Sequence, residues 1–347
     1  MDRIKKLMFA LNYGKNTMLC KTGLREPRPW NVAVNPTLSC NLRCMQCSIW
    51  KGSLTQELDT NSWKEIINDI IGWLGPCYIT ITGGEPLLRR ETTLEIIMLA
   101  SKRGIMTNLI TNGSCLDREL LSGLDAAGLD TLSVSLDGKA ETHDTLRGRR
   151  GLHKRITSAI EIIHENKINT RIIINTTIMK PNLDEIADLI VWSRMNRTSI
   201  KFQALVQNFG EKNDLSWFLR SPLWPADTRK TVSVIDRIIS MKTNGFPVIN
   251  SIKQLAALRE YYINPVKTCS NLVCNAGQNI SINPDGEVRI CPAMEQAGSL
   301  YENHARAIWN SGRSRHIRRS IMECRHSCKI LNCNFNDGLR GKLERLF

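Results

Sequence analysis

Cys40, Cys44 and Cys47, in the string CNLRCMQC, are the densest chemical signal in the chain. Three thiolates this close can bind three irons of a cubane [4Fe-4S] cluster and leave the fourth iron open to a small molecule. The competing assignment is a structural zinc site, which needs a fourth nearby Cys or His to close its tetrahedron. No histidine lies in that loop. Six further cysteines, Cys269, Cys274, Cys291, Cys324, Cys328 and Cys333, gather toward the other end. Their gaps suit either a second cluster or a four-thiolate zinc site. Cys20, Cys77 and Cys115 stand alone and read as small core or surface residues.

Twelve cysteines without a secretory signal favour metal thiolates over disulfides, because the cytosol keeps thiols reduced. No apolar run is long enough to cross a bilayer, so a cytoplasmic location is expected. At 347 residues and 42% apolar content the chain can bury one large core plus a smaller one, which argues against a disordered protein. The formal charge of +14 calls for an acidic partner: a phosphorylated small molecule, an anionic peptide, nucleic acid or an anionic membrane surface. Arginine is dense from Arg313 to Arg325, first as a solvated helix face and second as an anion site. Nothing beside it resembles a nucleic-acid-binding module, which ranks nucleic acid low among the partners.

The elements that must carry these residues alternate between short β-branched runs and longer amphipathic stretches, the pattern of a parallel α/β sheet. Strands are expected at NVAVNP from Asn31, CYITIT from Cys77, MTNLIT from Met106, TLSVSL from Thr131, RIIINTT from Arg171 and SIKFQAL from Ser199. Helical spacing begins near Ser62, Glu91, Asp117, Leu152 and Asn182. Six βα units fall short of an eightfold barrel, so the expected fold class is α/β: a partial (β/α)6 TIM-like barrel, curved and partly open, with a small C-terminal iron-sulfur domain. Chemistry should then collect at the strand C-terminal ends, where Gly83 to Pro86, Thr111 to Gly113 and Ser135 to Gly138 fall. A polar Trp- and Pro-containing stretch from about Gln207 to Asp227 interrupts the pattern, and a domain boundary is expected near Asn250 to Pro265. The resulting division is 1–30 as a basic N-terminal extension, 31–250 as the barrel and 251–347 as the second domain. ISINPDGEVRICP reads as a hairpin around Asn-Pro-Asp-Gly. Lys5, Lys6, Leu7, Met8 and Phe9 suggest a basic amphipathic helix, usually a docking helix and sometimes a membrane contact.

The Cys40/Cys44/Cys47 spacing and the motifs that follow it in order resemble the radical S-adenosylmethionine (SAM) superfamily. The resemblance covers Asn31 to Cys333. It implies that the open iron chelates the amino and carboxylate groups of SAM. Gly83-Gly84-Glu85-Pro86 resembles the family's GGEP motif, which implies that the loop backbone and Glu85 bind the SAM ammonium. Ser135, within Ser135-Leu136-Asp137-Gly138, and Arg147 resemble a second pattern that implies a SAM contact and a bidentate carboxylate clamp. His143 and Asp144 read as a capped helix start, and Asn112 and Asn175 are weaker candidates for the SAM ribose or the substrate. Gln46 departs from the family, which usually has an aromatic residue before the third cysteine. Cys274, Gly286 and Cys291 resemble the opening of a SPASM or twitch domain, which implies one auxiliary [4Fe-4S] cluster. Two further ligands would come from Cys324, Cys328 and Cys333, with Cys269 competing.

The resemblance implies that a low-potential donor such as ferredoxin or flavodoxin reduces the first cluster, which cleaves SAM to methionine and a 5′-deoxyadenosyl radical that abstracts a hydrogen atom from the substrate. The auxiliary cluster then accepts an electron or helps bind substrate. The short segment before the first strand favours an anionic small-molecule substrate, such as a sugar, nucleoside, lipid or cofactor precursor. Maturation of a ribosomally made peptide is the alternative. A non-catalytic zinc or iron-sulfur binding module is the alternative of another class, although it would need neither the GGEP-like loop nor the Ser135/Arg147 pair. No residue is assigned to acid–base catalysis.

Overall fold

Six β-branched runs form six parallel strands in which each new strand adds beside its predecessor. They are β1 (Asn31–Val34), β2 (Tyr78–Ile81), β3 (Met106–Thr111), β4 (Thr131–Ser135), β5 (Arg171–Ile178) and β6 (Ser199–Ala204). The computed structural model describes residues 3–21, 27–52, 56–209 and 211–338. Helix α1 (Arg3–Lys21) precedes the sheet, and α2 (Thr60–Leu74), α3 (Arg90–Lys102), α4 (Arg118–Ala126), α5 (Ala140–Arg147), α6 (Leu152–Glu165) and α7 (Ile186–Met195) connect the strands. Parallel neighbours require such crossovers, and the helices bury one sheet face. Helix α2 shows why: Trp63, Ile67, Ile70, Ile71 and Leu74 recur at helical spacing and are buried, while the Asp59 side chain caps the start by accepting from the Ser62 N–H. All six expected strands form. The short helix α5 carries His143 and Arg147; it begins at Ala140, ahead of the His143–Asp144 start expected, because eight residues are too few for a periodic signal to place it.

After β6 come α8 (Thr228–Thr243), α9 (Ile252–Ile263) and α10 (Pro265–Asn271), then β7 (Asn279–Ile282), β8 (Glu287–Arg289), β9 (Gly298–Ser299), α11 (Ala305–Asn310) and α12 (Gly312–Glu323). The expected hairpin forms, but it does not stand apart from the barrel. Strand β7 pairs in parallel with β1, from Asn31 with Asn279 to Val34 with Ile282, giving the order β6-β5-β4-β3-β2-β1-β7-β8-β9. The loop after β1 is thereby held from both sides. Its Asn35 N–H donates to the Ile282 carbonyl, and its Asn35 amide donates to Ser281 and Asn283.

The Gln207–Asp227 interruption packs Trp224 against Tyr261 and Tyr262 of α9, and Trp217 and Phe218 against Trp224. Both tyrosine hydroxyls reach the strand ends: Tyr261 donates to the Leu205 carbonyl, and Tyr262 donates to the Ile178 carbonyl while accepting from the Leu205 N–H. At the opposite end, where the strands begin, α1 docks through Phe9, which packs with Tyr13, Trp30, Met106 and Tyr78. Lys5 fastens it by donating to Asp130 at 3.1 Å and to Ser101. The docking role read for this segment is what the structure displays. The Cys20 side chain lies outside the described residues, and Cys77 is buried with its thiol pushed up to about 12 by desolvation.

Candidate functional site

The loop after β1 owes its shape to the turn after β2. Gly84 N–H donates to the Thr37 carbonyl at 3.0 Å and Glu85 N–H to the Ser39 carbonyl at 2.8 Å, which draws two backbones together just ahead of Cys40. A Cβ on Gly84 would stand 2.2 Å from the Ser39 oxygen, and one on Gly83 would stand 2.4 Å from the Thr37 oxygen, so only glycine admits this approach. Gly83 also has φ +116, outside the range of ordinary side chains. Farther along, Met45 N–H donates to the Leu146 carbonyl of α5, and the Trp50 indole donates to the Cys47 carbonyl.

Cys40 and Cys47 are half-buried, Cys44 is buried, and all three are free thiols. Desolvation raises the Cys40 and Cys44 thiols, and the Arg147 guanidinium opposes the rise at Cys44. Their Nη1 to Sγ distance is 3.9 Å. Asn112, at the end of β3, donates to Cys40 Sγ at 3.8 Å and to Asn41 at 3.0 Å. Cys115, read as an isolated residue, lies close by and accepts from Asn41.

Two expected ligand contacts are already engaged within the protein. Glu85 has no exposed surface; its carboxylate accepts from Thr111 Oγ1 and the Asn112 N–H, both at 2.7 Å, and from the Leu87 N–H. Burial raises its pKa against those three donors. The side chain therefore ties the β2 and β3 ends together, where the sequence suggested an ammonium contact. Arg147, expected as a carboxylate clamp, already grips one carboxylate of the protein: its Nε and Nη2 hold Asp137 at 2.7 and 2.6 Å. Burial acts to lower the Arg147 pKa, and Asp137 followed by Cys44 reverses it to a net rise. Asp137 is fully buried and accepts from the Thr177 N–H through its other oxygen. Asp137 lies within the Ser135–Gly138 motif, but an acid beside a glycine turn carries no sequence signal of a partner ten residues on.

Ser135 pairs with Asn175 across β4 and β5, half-buried at the same strand ends. Asn175 Oδ1 and Gln46 Oε1 are buried acceptors without a partner. The Gln46 amide also donates to Asp137. Orphaned acceptors want donors, and the ammonium, ribose hydroxyls and adenine amine of SAM are donors. Together with three free thiols in one loop, they fit a SAM-chelating cubane cluster. Asp144 is a capping residue, as read, though for the following helix: it accepts from the Gly151 and His153 N–H groups.

The C-terminal cysteines meet through tertiary structure. Cys274 and Phe335 bridge two chain segments, supported by the Asn275 N–H donating to the Asn334 carbonyl. Desolvation raises Cys274 to about 12 and Cys291 to about 11 and lifts Cys328 further; Cys291, Cys274, Cys324 and Cys333 all lie near enough to reinforce the rise at Cys328. Backbone N–H groups of Ala276 and His326 donate to the Cys274 and Cys324 sulfurs, which suits cluster-bound thiolates. Cys269 stands differently, because its thiol donates to the Ser327 carbonyl. Lys329 is 3% exposed and donates to the Leu272 carbonyl, a buried cation beside this thiol group that no sequence pattern announced.

Two cavities lie between the cysteine groups. One of about 310 Å³ opens beside Met45 and Gln46 and is walled by Trp217 and Leu223. Another of about 200 Å³ reaches Pro292, Met294 and Cys328. Gln207, Asn208 and Glu211 line both, so they adjoin along the β6 end.

The chain matches the Radical SAM superfamily model over residues 34–192 and the SPASM iron-sulfur cluster-binding domain model over 274–334. It is 38% identical over 164 residues to the AdoMet-dependent heme synthase of Methanosarcina barkeri, covering 46% of this chain and 45% of that enzyme. The chain thus spans less than half the length of that relative. It is 27% identical over 322 residues to the PqqA peptide cyclase of Bradyrhizobium diazoefficiens, covering 89% of this chain and 80% of that one. SuiB of Streptococcus suis bound to S-adenosylmethionine has a similar fold, with a TM-score of 0.67 at 16% identity over 92% of this chain and 77% of its own.

Proposed function

The chain belongs to the radical SAM superfamily and carries a C-terminal SPASM domain, and from that premise we propose that it installs a modification on a peptide substrate. It is an enzyme that binds SAM and iron-sulfur clusters, so the reading as a non-catalytic module is set aside. When bound, the first cluster together with SAM would supply one-electron chemistry able to take a hydrogen atom from substrate. Cys40, Cys44 and Cys47 would hold that cluster, with Cys274, Cys291 and two of Cys324, Cys328 and Cys333 holding the auxiliary one.

The observation that carries the peptide reading is the pair of adjoining cavities between Met45/Gln46 and Cys328. An extended chain can lie along them with its reacting carbon near the first loop and its remainder toward the second cysteine group. PqqA peptide cyclase aligns along most of the chain, which supports a peptide over the small molecule first expected. Gln207, Asn208 and Glu211 would orient the peptide backbone, and the Trp217 wall would exclude water. A low-potential protein donor and an anionic peptide, suited to the +14 charge, complete the proposal.

A tetrapyrrole substrate is the second reading, favoured by the 38% identity to a heme synthase. Anaerobically reconstituted enzyme with dithionite and SAM, offered a peptide library or Fe-coproporphyrin III, separates the two. Peptides that stimulate 5′-deoxyadenosine formation at least about tenfold and gain a mass change support the proposal. Stimulation by the porphyrin alone overturns it in favour of the second reading. Loss of both in a Cys40→Ala variant ties the signal to the first loop.

A further inference from the structure

Helix α1 presents an apolar stripe away from the protein. Its docked side uses Lys5, Phe9, Asn12 and Tyr13. On the opposite side Ile4, Leu7, Leu11 and Met18 recur at helical spacing and are 66%, 59%, 65% and 68% exposed, with Met8 beside them at 41%. These five are nearly a third of the seventeen exposed large apolar residues among those described, and they fall within fifteen positions. Elsewhere such residues are scattered, as surface apolar residues ordinarily are. The helix is not apolar enough to span a bilayer, so a membrane-facing role would be surface-lying.

The surroundings of the stripe are cationic. The α1 sequence RIKKLMFALNYGKNTMLCK contains no Asp or Glu, and Arg3 and Lys15 are exposed along it. Met8 Sδ lies 4.0 Å from the position a Cβ would take on Gly104, next to the exposed Lys102 and Arg103 that end the α3 connection. Connections that lead into strands all reach this end of the sheet, and those before β5 and β6 carry exposed Lys167 and Arg197. Glu165, at the same end, is paired with Arg118.

We propose that α1 is a membrane-docking helix, which lays Leu7, Leu11 and their neighbours into an anionic lipid surface while Arg3, Lys15, Lys102 and Arg103 meet the headgroups. An exposed apolar face edged by cations, on a helix with no acid from Arg3 to Lys21, is the pattern that binds an anionic interface. Docking at the strand N-terminal end leaves the cysteine loop and cavities, at the C-terminal end, facing away from the bilayer and open to a soluble substrate. The proposal is independent of the substrate reading.

Flotation of the full-length reconstituted enzyme with vesicles of phosphatidylcholine, or of equal phosphatidylcholine and phosphatidylglycerol, is the test. Wild type should float with the anionic vesicles, stay behind with the neutral ones and lose binding as salt rises. Leu7→Gln/Leu11→Gln should bind at least about tenfold more weakly, and Arg3→Gln/Lys15→Gln several-fold more weakly, each with melting temperature and SAM cleavage unchanged, because these side chains are exposed and remote from the cysteines. No flotation of wild type would overturn the proposal. So would equal flotation of the leucine variant, which would assign binding to net charge alone. Concentration-dependent dimers that Leu7→Gln/Leu11→Gln abolishes, without vesicle binding, would overturn it in favour of a second copy as the occupant.

Discussion

Cys40, Cys44 and Cys47 share one loop, whereas Cys274, Cys291, Cys324, Cys328 and Cys333 come from separate segments that tertiary structure must first assemble. The first loop takes its shape from one close backbone approach, Gly83 and Gly84 against Thr37 to Ser39. The second group depends on the β1–β7 pairing, the Cys274–Phe335 bridge and the turn around Ser327–Ile330. The cation near each group differs as well: Arg147 beside Cys44 is neutralised by Asp137, whereas buried Lys329 has a carbonyl partner. One site is a local device set on a rigid sheet and the other is a product of the whole C-terminal fold. A single substitution in the close backbone approach should therefore silence the first while leaving the second in place.

Gly84→Ala is the sharpest test of this contrast. Its added methyl meets backbone oxygen at 2.2 Å and 2.5 Å, and backbone cannot move aside as a flexible side chain can. Iron should fall from roughly eight to roughly four per chain, and SAM cleavage should drop by about two orders of magnitude or more. Survival of the auxiliary cluster is the telling outcome; loss of all iron would mean that the two regions fold as one unit. On the other side, Cys328→Ala should bring iron to about four while SAM cleavage persists, and Cys269→Ala should leave about eight. Equal losses in these two variants, by iron counting and electron paramagnetic resonance, would place Cys269 among the ligands.

The same contrast governs what the sequence could reveal. Cys40 to Cys47 and the glycines after β2 are close in sequence, and the strands around them are periodic, so the barrel and its first loop were readable. The pairing of β7 with β1 was not, because a four-residue β-branched run carries no information about its partner. Arg147 and Glu85 were recognised as important but assigned outward, toward a ligand. Their inward partners, Asp137, Thr111 and the Asn112 N–H, appear only once β2, β3, β4 and α5 converge. Nothing in the sequence separates Lys329 from the other cations of a chain of net charge +14, and only the packing of its turn reveals a buried one.

Asp137→Asn tests whether the first region depends on its neutralised cation. The Arg147 side chain is 13% exposed, and Asp137 is fully buried, so removing one charge leaves the other without compensation. Breaking a buried pair in this way costs on the order of 3 kcal/mol. Denaturant unfolding should report a loss near that size, and SAM affinity, measured by equilibrium dialysis, should weaken about tenfold or more as Arg147 and Gln46 lose their anchor. A loss of stability with SAM affinity intact would confine the pair to a structural role.

Histidine burial gives the smallest and most specific difference. His143, beneath the first loop, has no exposed surface; its Nδ1 accepts from the Asp137 N–H, and its Nε2 is unpartnered. Desolvation first, and then Arg147, lower its pKa to about 3. His326, near the second group, is also lowered by desolvation but is half-buried. A histidine held neutral in the fold takes up a proton on unfolding, so its contribution is fully present above its unfolded pKa of about 6.5. That contribution falls as pH drops from there toward the folded value. By pH 5 the loss from His143 should reach about 2 kcal/mol relative to neutral pH. His143→Gln keeps an acceptor for the Asp137 N–H but cannot be protonated, so its unfolding free energy should decline less steeply between pH 7.5 and pH 5 than that of wild type. His326→Gln should track wild type more closely. Parallel slopes in all three proteins would remove His143 as the source of acid sensitivity and, with it, the difference in burial between the two regions as its cause.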